Sequence, residues 1–186
     1  MPALAIYLFL FLLFVITIKE LKSFTKGAEG EQIVRRILKG LPYGYYCLSD
    51  FANGQKGNID LVVVGPTGIW TIEVKNFKGG EITFINGKLH RKGYPLEKDP
   101  LKQAYAESKH LSDYIHKSLG LMLPVNPVLV FANKFTKIRF GKQPVNGVYV
   151  IGGSWLLNLI QERQTTLTPE QCVKIRDEVK KHISII

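Results

Sequence analysis

Ile59-Asp60-Leu61-Val62-Val63-Val64, then Gly65-Pro66-Thr67-Gly68, then Ile69-Trp70-Thr71-Ile72-Glu73-Val74-Lys75 is the stretch on which the fold turns. The first run is Ile, Leu and Val with one acid near its start, and the last is again rich in strand formers. Gly-Pro-Thr-Gly between them is a strong turn signal, so the stretch reads as a β-hairpin with a four-residue loop. Centred on that loop, Val64 opposes Ile69, and stepping outward sets Asp60 opposite Glu73. Side chains alternate faces along a strand, so Glu73 and Lys75 share a face and Val74 points into the opposite layer. Asp60 then lies on the Glu73/Lys75 face.

Like charges directly opposite one another destabilise a strand pair. A bound cation turns that penalty into a site. Two carboxylates hold a hard divalent ion through oxygen, and such an ion neutralises phosphoryl oxygens and lowers the pKa of a bound water. A neighbouring lysine can orient that water or meet the charge that builds on phosphorus. The competing reading is a weak surface ion pair between Glu73 and Lys75, with Asp60 solvated. Both acids interrupt apolar runs that look buried, which favours the site.

Around the hairpin the chain alternates helices and strands. Residues 28–40 carry apolar positions at Ile33, Val34, Ile37, Leu38 and Leu41, one stripe of a helix. A short strand is expected at 46–49, and a second hairpin at 81–85 and 88–91 around Asn86-Gly87. A helix is expected over 100–119, strands over 125–132 and 148–151, and helices over 154–161 and 169–183. The last opens with Thr168-Pro169-Glu170-Gln171, a capping box with proline at the first helical position. This order predicts an α/β fold, a mixed central sheet flanked by helices. The two acids are expected where the hairpin diverges, at one edge of the sheet.

Three blocks also carry a resemblance: Gly27-Ala28-Glu29-Gly30-Glu31, Gly57-Asn58-Ile59-Asp60-Leu61-Val62-Val63-Val64 and Ile72-Glu73-Val74-Lys75-Asn76. In this order and spacing they resemble the nuclease-related domain family, over roughly residues 25 to 135. That family is similar to the restriction-endonuclease-like PD-(D/E)xK group, whose signature is an acid, a spacer and an acid-x-lysine. The resemblance implies metal coordination by Asp60 and Glu73, with the Val74 carbonyl, and a catalytic role for Lys75. It implies Mg²⁺ or Mn²⁺ as cofactor and nucleic acid, DNA in particular, as partner. Glu31 is implied to be an accessory ligand or water-positioning group. Pro100-Leu101-Lys102-Gln103 resembles a later block, which implies Gln103 near the site as a substrate-binding residue.

Two of these residues can be read independently. Glu31 falls within about 20° of Leu38 in helical projection, at the edge of the apolar stripe, whereas Glu29 projects to the solvated side with Arg36. Glu31 is therefore the acid able to reach an interior site, or else an ordinary first-turn glutamate favoured by the helix dipole. The helix over 101–119 has its expected stripe at Leu101, Ala104, Tyr105, Leu111, Ile115 and Leu119. Gln103 projects to the other side, with Glu107, His110 and Tyr114, toward either a substrate groove or solvent.

Ala3 to Ile18 contains no charged side chain, and Lys19, Lys22 and Lys26 follow. A secretory signal peptide wants a basic start and a small-x-small cleavage site, and neither is present. The run is about the shortest that spans a hydrocarbon core, and the basic flank keeps its C-terminal side cytoplasmic. The expectation is a transmembrane anchor over 1–18, a basic linker over 19–26 and an α/β domain over 27–186, single-pass in the cell membrane. All 25 basic residues follow the apolar run, so the net charge of +10 belongs to the linker and the α/β domain together and attracts polyanions. Lys88, Arg91, Lys92, Lys134, Lys137, Arg139 and Lys142 are far in sequence from the anchor and suit phosphate contacts. Cys47 and Cys172 form no metal or redox motif, and both read as small core or surface residues. No Gly-rich phosphate loop or nucleophilic serine frame appears. The expected function is a membrane-anchored, metal-dependent nuclease; the alternative is a nuclease-like module that binds DNA or an anionic membrane surface without turnover.

Overall fold

Residues 2–52, 58–141 and 143–183 are described by the computed structural model. Gly57 and Lys142, and the side chains of Lys19 and Lys22, lie outside the described residues. The chain begins with helix α1, Pro2–Leu38. Strands β1 (Tyr46–Ala52), β2 (Asn58–Gly65) and β3 (Gly68–Lys75) follow. Next come β4 (Gly80–Ile85), β5 (Lys88–Arg91) and the two-residue β6 (Tyr94–Pro95). Helix α2 (Pro100–Leu119) leads to β7 (Val125–Phe131), β8 (Thr136–Ile138) and β9 (Tyr149–Gly152). A 3-10 turn, Gly153–Trp155, opens into α3 (Leu156–Gln161), and α4 (Pro169–Lys180) follows.

The main sheet has five strands in the order β1-β2-β3-β7-β9. β1, β2 and β3 run antiparallel to one another, and β3, β7 and β9 run parallel, so the sheet is mixed as expected. Val64 pairs with Ile69, the register read from the turn. β3 is the central strand, so the acids sit at its end and not at an edge of the sheet. This corrects the expectation from the hairpin alone, because β7 adds itself in parallel to the free side of β3. A smaller sheet, β6-β5-β4-β8, stands beside the first.

Alternation along the strands sorts the core into layers. Leu61, Val63, Trp70, Ile72 and Val74 face α1 and α3 through Val34, Leu38, Leu156 and Ile160. Val62, Val64 and Ile69 face α2 and α4 through Leu111, Ile115, Ile175 and Val179. The start of α2 packs Leu101 and Ala104 on Leu129 and Phe131 of β7, and Ile82 and Leu89 of the small sheet join that cluster. Both ends of α2 are capped: Asp99 accepts from the Lys102 N–H at 3.2 Å, and Gly120 closes the helix in the left-handed region. The capping box read at Thr168 and Gln171 is present in α4.

The helix expected over 28–40 is the last part of the 37-residue α1, and residues 19–26 are helical as well. Among the described residues no helix is long and apolar enough to cross a membrane. The transmembrane helix expected over 1–18 is therefore not supported. The helix that carries the apolar run continues unbroken toward the body, and Val15 and Ile18 line one cleft together with Lys78 and Arg91.

Candidate functional site

β1 loses its regular pairing at one point. Ser49 pairs with Leu61 and Phe51 with Ile59, but Asp50 takes φ 58° between them, opposite Asp60. Aspartate tolerates this left-handed conformation better than most residues. On the other side, the β2–β3 ladder stops at the Leu61–Ile72 pair. Asp60 is thus released from both neighbours, and its carboxylate accepts the Val74 N–H at 2.8 Å. In an extended strand the N–H and C=O of one residue point to the same side, so the Val74 carbonyl is also turned toward Asp60.

Glu73 and Lys75 follow the expected alternation onto the α2 face. Glu73 is only 3 % exposed. One of its oxygens accepts from the Lys75 ammonium, and the other is buried without a hydrogen-bond partner. The weak surface pair weighed from sequence does not describe this arrangement.

Helix α2 adds a carboxylate that the helical projection misplaced. Its buried residues are Leu101, Ala104, Glu107, Ser108, Leu111 and Ile115, with Pro100 at the start. Tyr105, expected in the apolar stripe, is exposed. The stripe runs 101, 104, 107/108, 111, 115, and its centre is filled by Glu107 and Ser108. Glu107 is 5 % exposed and faces the strand layer. Gln103 donates its amide to one Glu107 oxygen at 3.0 Å, and the other oxygen is buried without a partner. Gln103 therefore stands half-buried at the margin of the site. The readable signal was a gap in the stripe midway between Ala104 and Leu111.

The electrostatics follow from this crowding. Burial, then the nearby Glu73 charge, raises the Asp60 carboxyl to about 7. Burial, then Glu73 again, raises Glu107 to about 8. Glu31 is raised in the same direction, mainly by burial, while Arg35 opposes the shift. Arg35 bridges Glu31 at 3.3 Å and Asp50 at 3.2 Å. Glu31 thus turns inward, as its projection indicated, but it meets Arg35 first.

Gly30 explains how α1 comes this close. A Cβ at this position would lie 2.7 Å from the Asn76 Cβ and 3.3 Å from Val74 Cγ1. The last turns of α1 therefore rest directly on the end of β3. Gly30→Val is expected to lower stability by about 2–3 kcal/mol through overpacking, read as a drop in thermal midpoint. An unchanged midpoint would show that the contact is slack.

Beside Lys75 opens a cleft of about 850 Å³ lined by Lys26, Lys78 and Arg91 on its polar side and by Val15 and Ile18 on its apolar side. Among the described residues, no group of three or more His, Cys, Asp and Glu side chains is gathered tightly enough to hold a metal ion. The donor set at hand is smaller: two carboxylates and one backbone carbonyl. It fits a hard cation that keeps several of its own waters, and the unpartnered Glu73 oxygen fits it as well.

A family model for the nuclease-related domain matches residues 26–132. The chain belongs to the nuclease-related domain family. The match begins in α1 just before Gly27 and ends just after β7, so it contains Glu31, Asp60, Glu73, Lys75, Gln103 and Glu107. The family's description points to a nuclease-like function. An uncharacterized protein of Bacillus anthracis is 37% identical over 59 residues, which is 29% of this chain and 28% of that protein. The chain therefore spans about 28% of the length of the curated relative it matches. No solved structure matches.

Proposed function

We propose that this nuclease-related domain is a metal-dependent hydrolase of nucleic-acid phosphodiesters, DNA first among them. The carrying observation is the buried Glu73 carboxylate, paired to Lys75 through one oxygen and unpartnered at the other, with Asp60 turned toward the same strand end. Asp60, Glu73 and the Val74 carbonyl are the groups that hold Mg²⁺ or Mn²⁺. A divalent cation bound there supplies charge neutralisation at the phosphoryl oxygens and a more acidic water. Lys75 orients a water for in-line attack on phosphorus. The water oxygen forms the new P–O bond and gives up a proton to solvent as the bond to the leaving sugar oxygen breaks, and that sugar oxygen takes up a proton from solvent. Glu31, held by Arg35, positions a second water. Gln103 steadies Glu107 at the margin where the substrate enters. Lys26, Lys78 and Arg91 along the cleft complement a phosphate backbone.

Metal removal tests this reading. Wild-type protein should cut labelled DNA with Mg²⁺ or Mn²⁺ and yield no product in EDTA, with activity returning when metal is restored. Cutting that is indifferent to the chelator would overturn it. An RNA strand of the same sequence tests the preference for DNA. Retained binding with no product in any divalent metal would instead favour a module without turnover.

The exposed row Phe9, Leu10, Phe11, Leu12, Leu13 and Phe14 of α1 supports attachment of the protein to the cell membrane, and the basic flank Lys19, Lys22 and Lys26 favours the cytoplasmic side for the body. Sedimentation with vesicles of the full chain, compared with a chain lacking residues 1–18, tests this attachment. Equal binding by both would overturn it.

A further inference from the structure

Two exposed aromatic rings stand on tight turns of the small sheet, next to the cleft that holds Lys75. Phe135 is 69 % exposed and Tyr94 is 77 % exposed. Neither turn is slack. Asn133 Oδ1 accepts from the Phe135 N–H at 2.9 Å, and the Thr136 N–H donates to the Asn133 carbonyl at 2.9 Å. Phe135 is pressed against Gly79, where a Cβ would come within 3.0 Å of the Phe135 Cβ. Tyr94 follows Lys92 and Gly93, at φ 52° and 84°, and pairs with Arg91. Two residues of positive φ joining adjacent antiparallel strands are the mark of a type I′ hairpin turn.

Both turns meet at Gly79-Gly80. Arg91 donates to the Gly79 carbonyl from Nε at 3.0 Å and from a terminal guanidinium nitrogen at 2.8 Å. The stem of Lys92 lies along Gly80, and the Gly80 N–H donates to the Phe135 carbonyl at 3.3 Å. The Lys134 ammonium stands 5.1 Å from the Phe135 ring centre. The nearby acid, Glu81, is already paired with Arg139. Arg91 and Lys78 then continue the strip into the cleft beside Lys75.

We infer that this strip is a stacking platform for unpaired bases, and that the strand led to Lys75 is single-stranded or locally unwound nucleic acid. The inference rests on the nuclease reading of the same site and adds the form of its substrate. Exposed aromatic rings on well-braced turns, with lysine and arginine beside them, are what a base-stacking groove requires. A duplex hides its base faces in its own stack and offers these rings nothing to stack on. A lipid surface could meet the same charges, but the strip runs into the cleft that Lys75 lines, the residue to which the nuclease reading gives the attacking water.

The test is equilibrium binding of the full chain in EDTA to a fluorescein-labelled oligothymidylate and to a duplex of equal length, at one salt concentration. The oligothymidylate should bind more tightly. Phe135→Ala with Tyr94→Ala should weaken it by roughly 5- to 100-fold, with little change for the duplex. Phe135→Tyr with Tyr94→Phe should restore it, and Tyr43→Ala, distant and fully exposed, should leave it unchanged. An unchanged affinity in the double alanine variant, equal losses for duplex and single strand, or a loss confined to anionic phospholipid vesicles would each overturn the inference. Binding is read without metal or turnover, so its failure leaves the cleavage reading standing, and an inactive wild type leaves the binding result standing.

Discussion

Asp60→Asn and Lys75→Ala are each expected to lower metal-dependent cleavage by about a thousandfold or more, while single-strand binding in EDTA persists. Losing one preorganised group at a phosphoryl centre costs two to three orders of magnitude, and each of these changes removes a charge as well. Asn is the better substitute at Asp60. Its carboxamide oxygen still accepts the Val74 N–H, so the end of β3 keeps its shape while the anionic ligand is lost. Lys75→Ala has a structural side effect that must be measured. It leaves Glu73 buried without its counter-ion. Breaking a fully buried pair costs about 3–5 kcal/mol, and the cost is smaller here because Lys75 is partly exposed and screened by water. Circular dichroism and thermal melting therefore accompany the rate measurement. Lys75→Arg separates the two roles: it preserves a cation for Glu73 but not the compact ammonium, so stability should recover more than activity. Equal cutting by wild type, Asp60→Asn and Lys75→Ala would remove both side chains from the mechanism.

The parts of this site legible in the sequence were those fixed by local rules. A four-residue turn between two strand-forming runs sets the register, and register sets which side chains share a face. Asp60, Glu73 and Lys75 were therefore found together. Less legible was what the rest of the chain does to that hairpin. β7 joins β3 in parallel from more than fifty residues away, which moves the acids from a sheet edge to its centre. No local signal announces such a long-range pairing. Glu107 was misplaced because a helical projection admits small rotations. Placing the Tyr105 ring in the stripe turns Glu107 outward. The structure resolves the choice because only one rotation lets Leu101 reach Leu129 and Phe131 while Leu111 and Ile115 reach Val62, Val64 and Ile69. Gly30 shows the opposite case. Its place in the first block was visible, but its reason, the close approach of α1 to Asn76, appears only in three dimensions.

Glu107→Gln should make the metal-free protein more stable and the enzyme worse. Glu107 shares a buried region with Glu73 and Asp60, and one of its oxygens has no partner. Its folded pKa, raised to about 8 by burial and then by Glu73, lies above its unfolded value of 4.5. Asp60 is raised in the same sense, from 3.8 to about 7. The unfolded chain releases these protons at lower pH than the native one, so between roughly pH 4 and 8 the native state holds more of them. Stability then falls as pH rises through that window and is lowest above it. The melting temperature of wild-type protein in EDTA should decline from pH 5 to pH 8, in a way that the rest of the chain's titration modulates but does not reverse. Gln at position 107 keeps the side-chain shape and an oxygen for the Gln103 amide, but carries no charge to bury. Replacing a buried charge with a neutral group of similar volume is commonly neutral or stabilising by about 1–4 kcal/mol. For a chain of this size that is several degrees of melting temperature, largest at pH 8, and the decline with pH should flatten. Cleavage should fall at the same time, because the negative potential that the carboxylate adds at the cation position is gone. Calorimetric titration with Mn²⁺ gives a readout independent of turnover, and affinity should drop in the variant. A residue with a packing role alone would lose stability on substitution and leave Mn²⁺ affinity unchanged, and that pair of results would return Glu107 to the core.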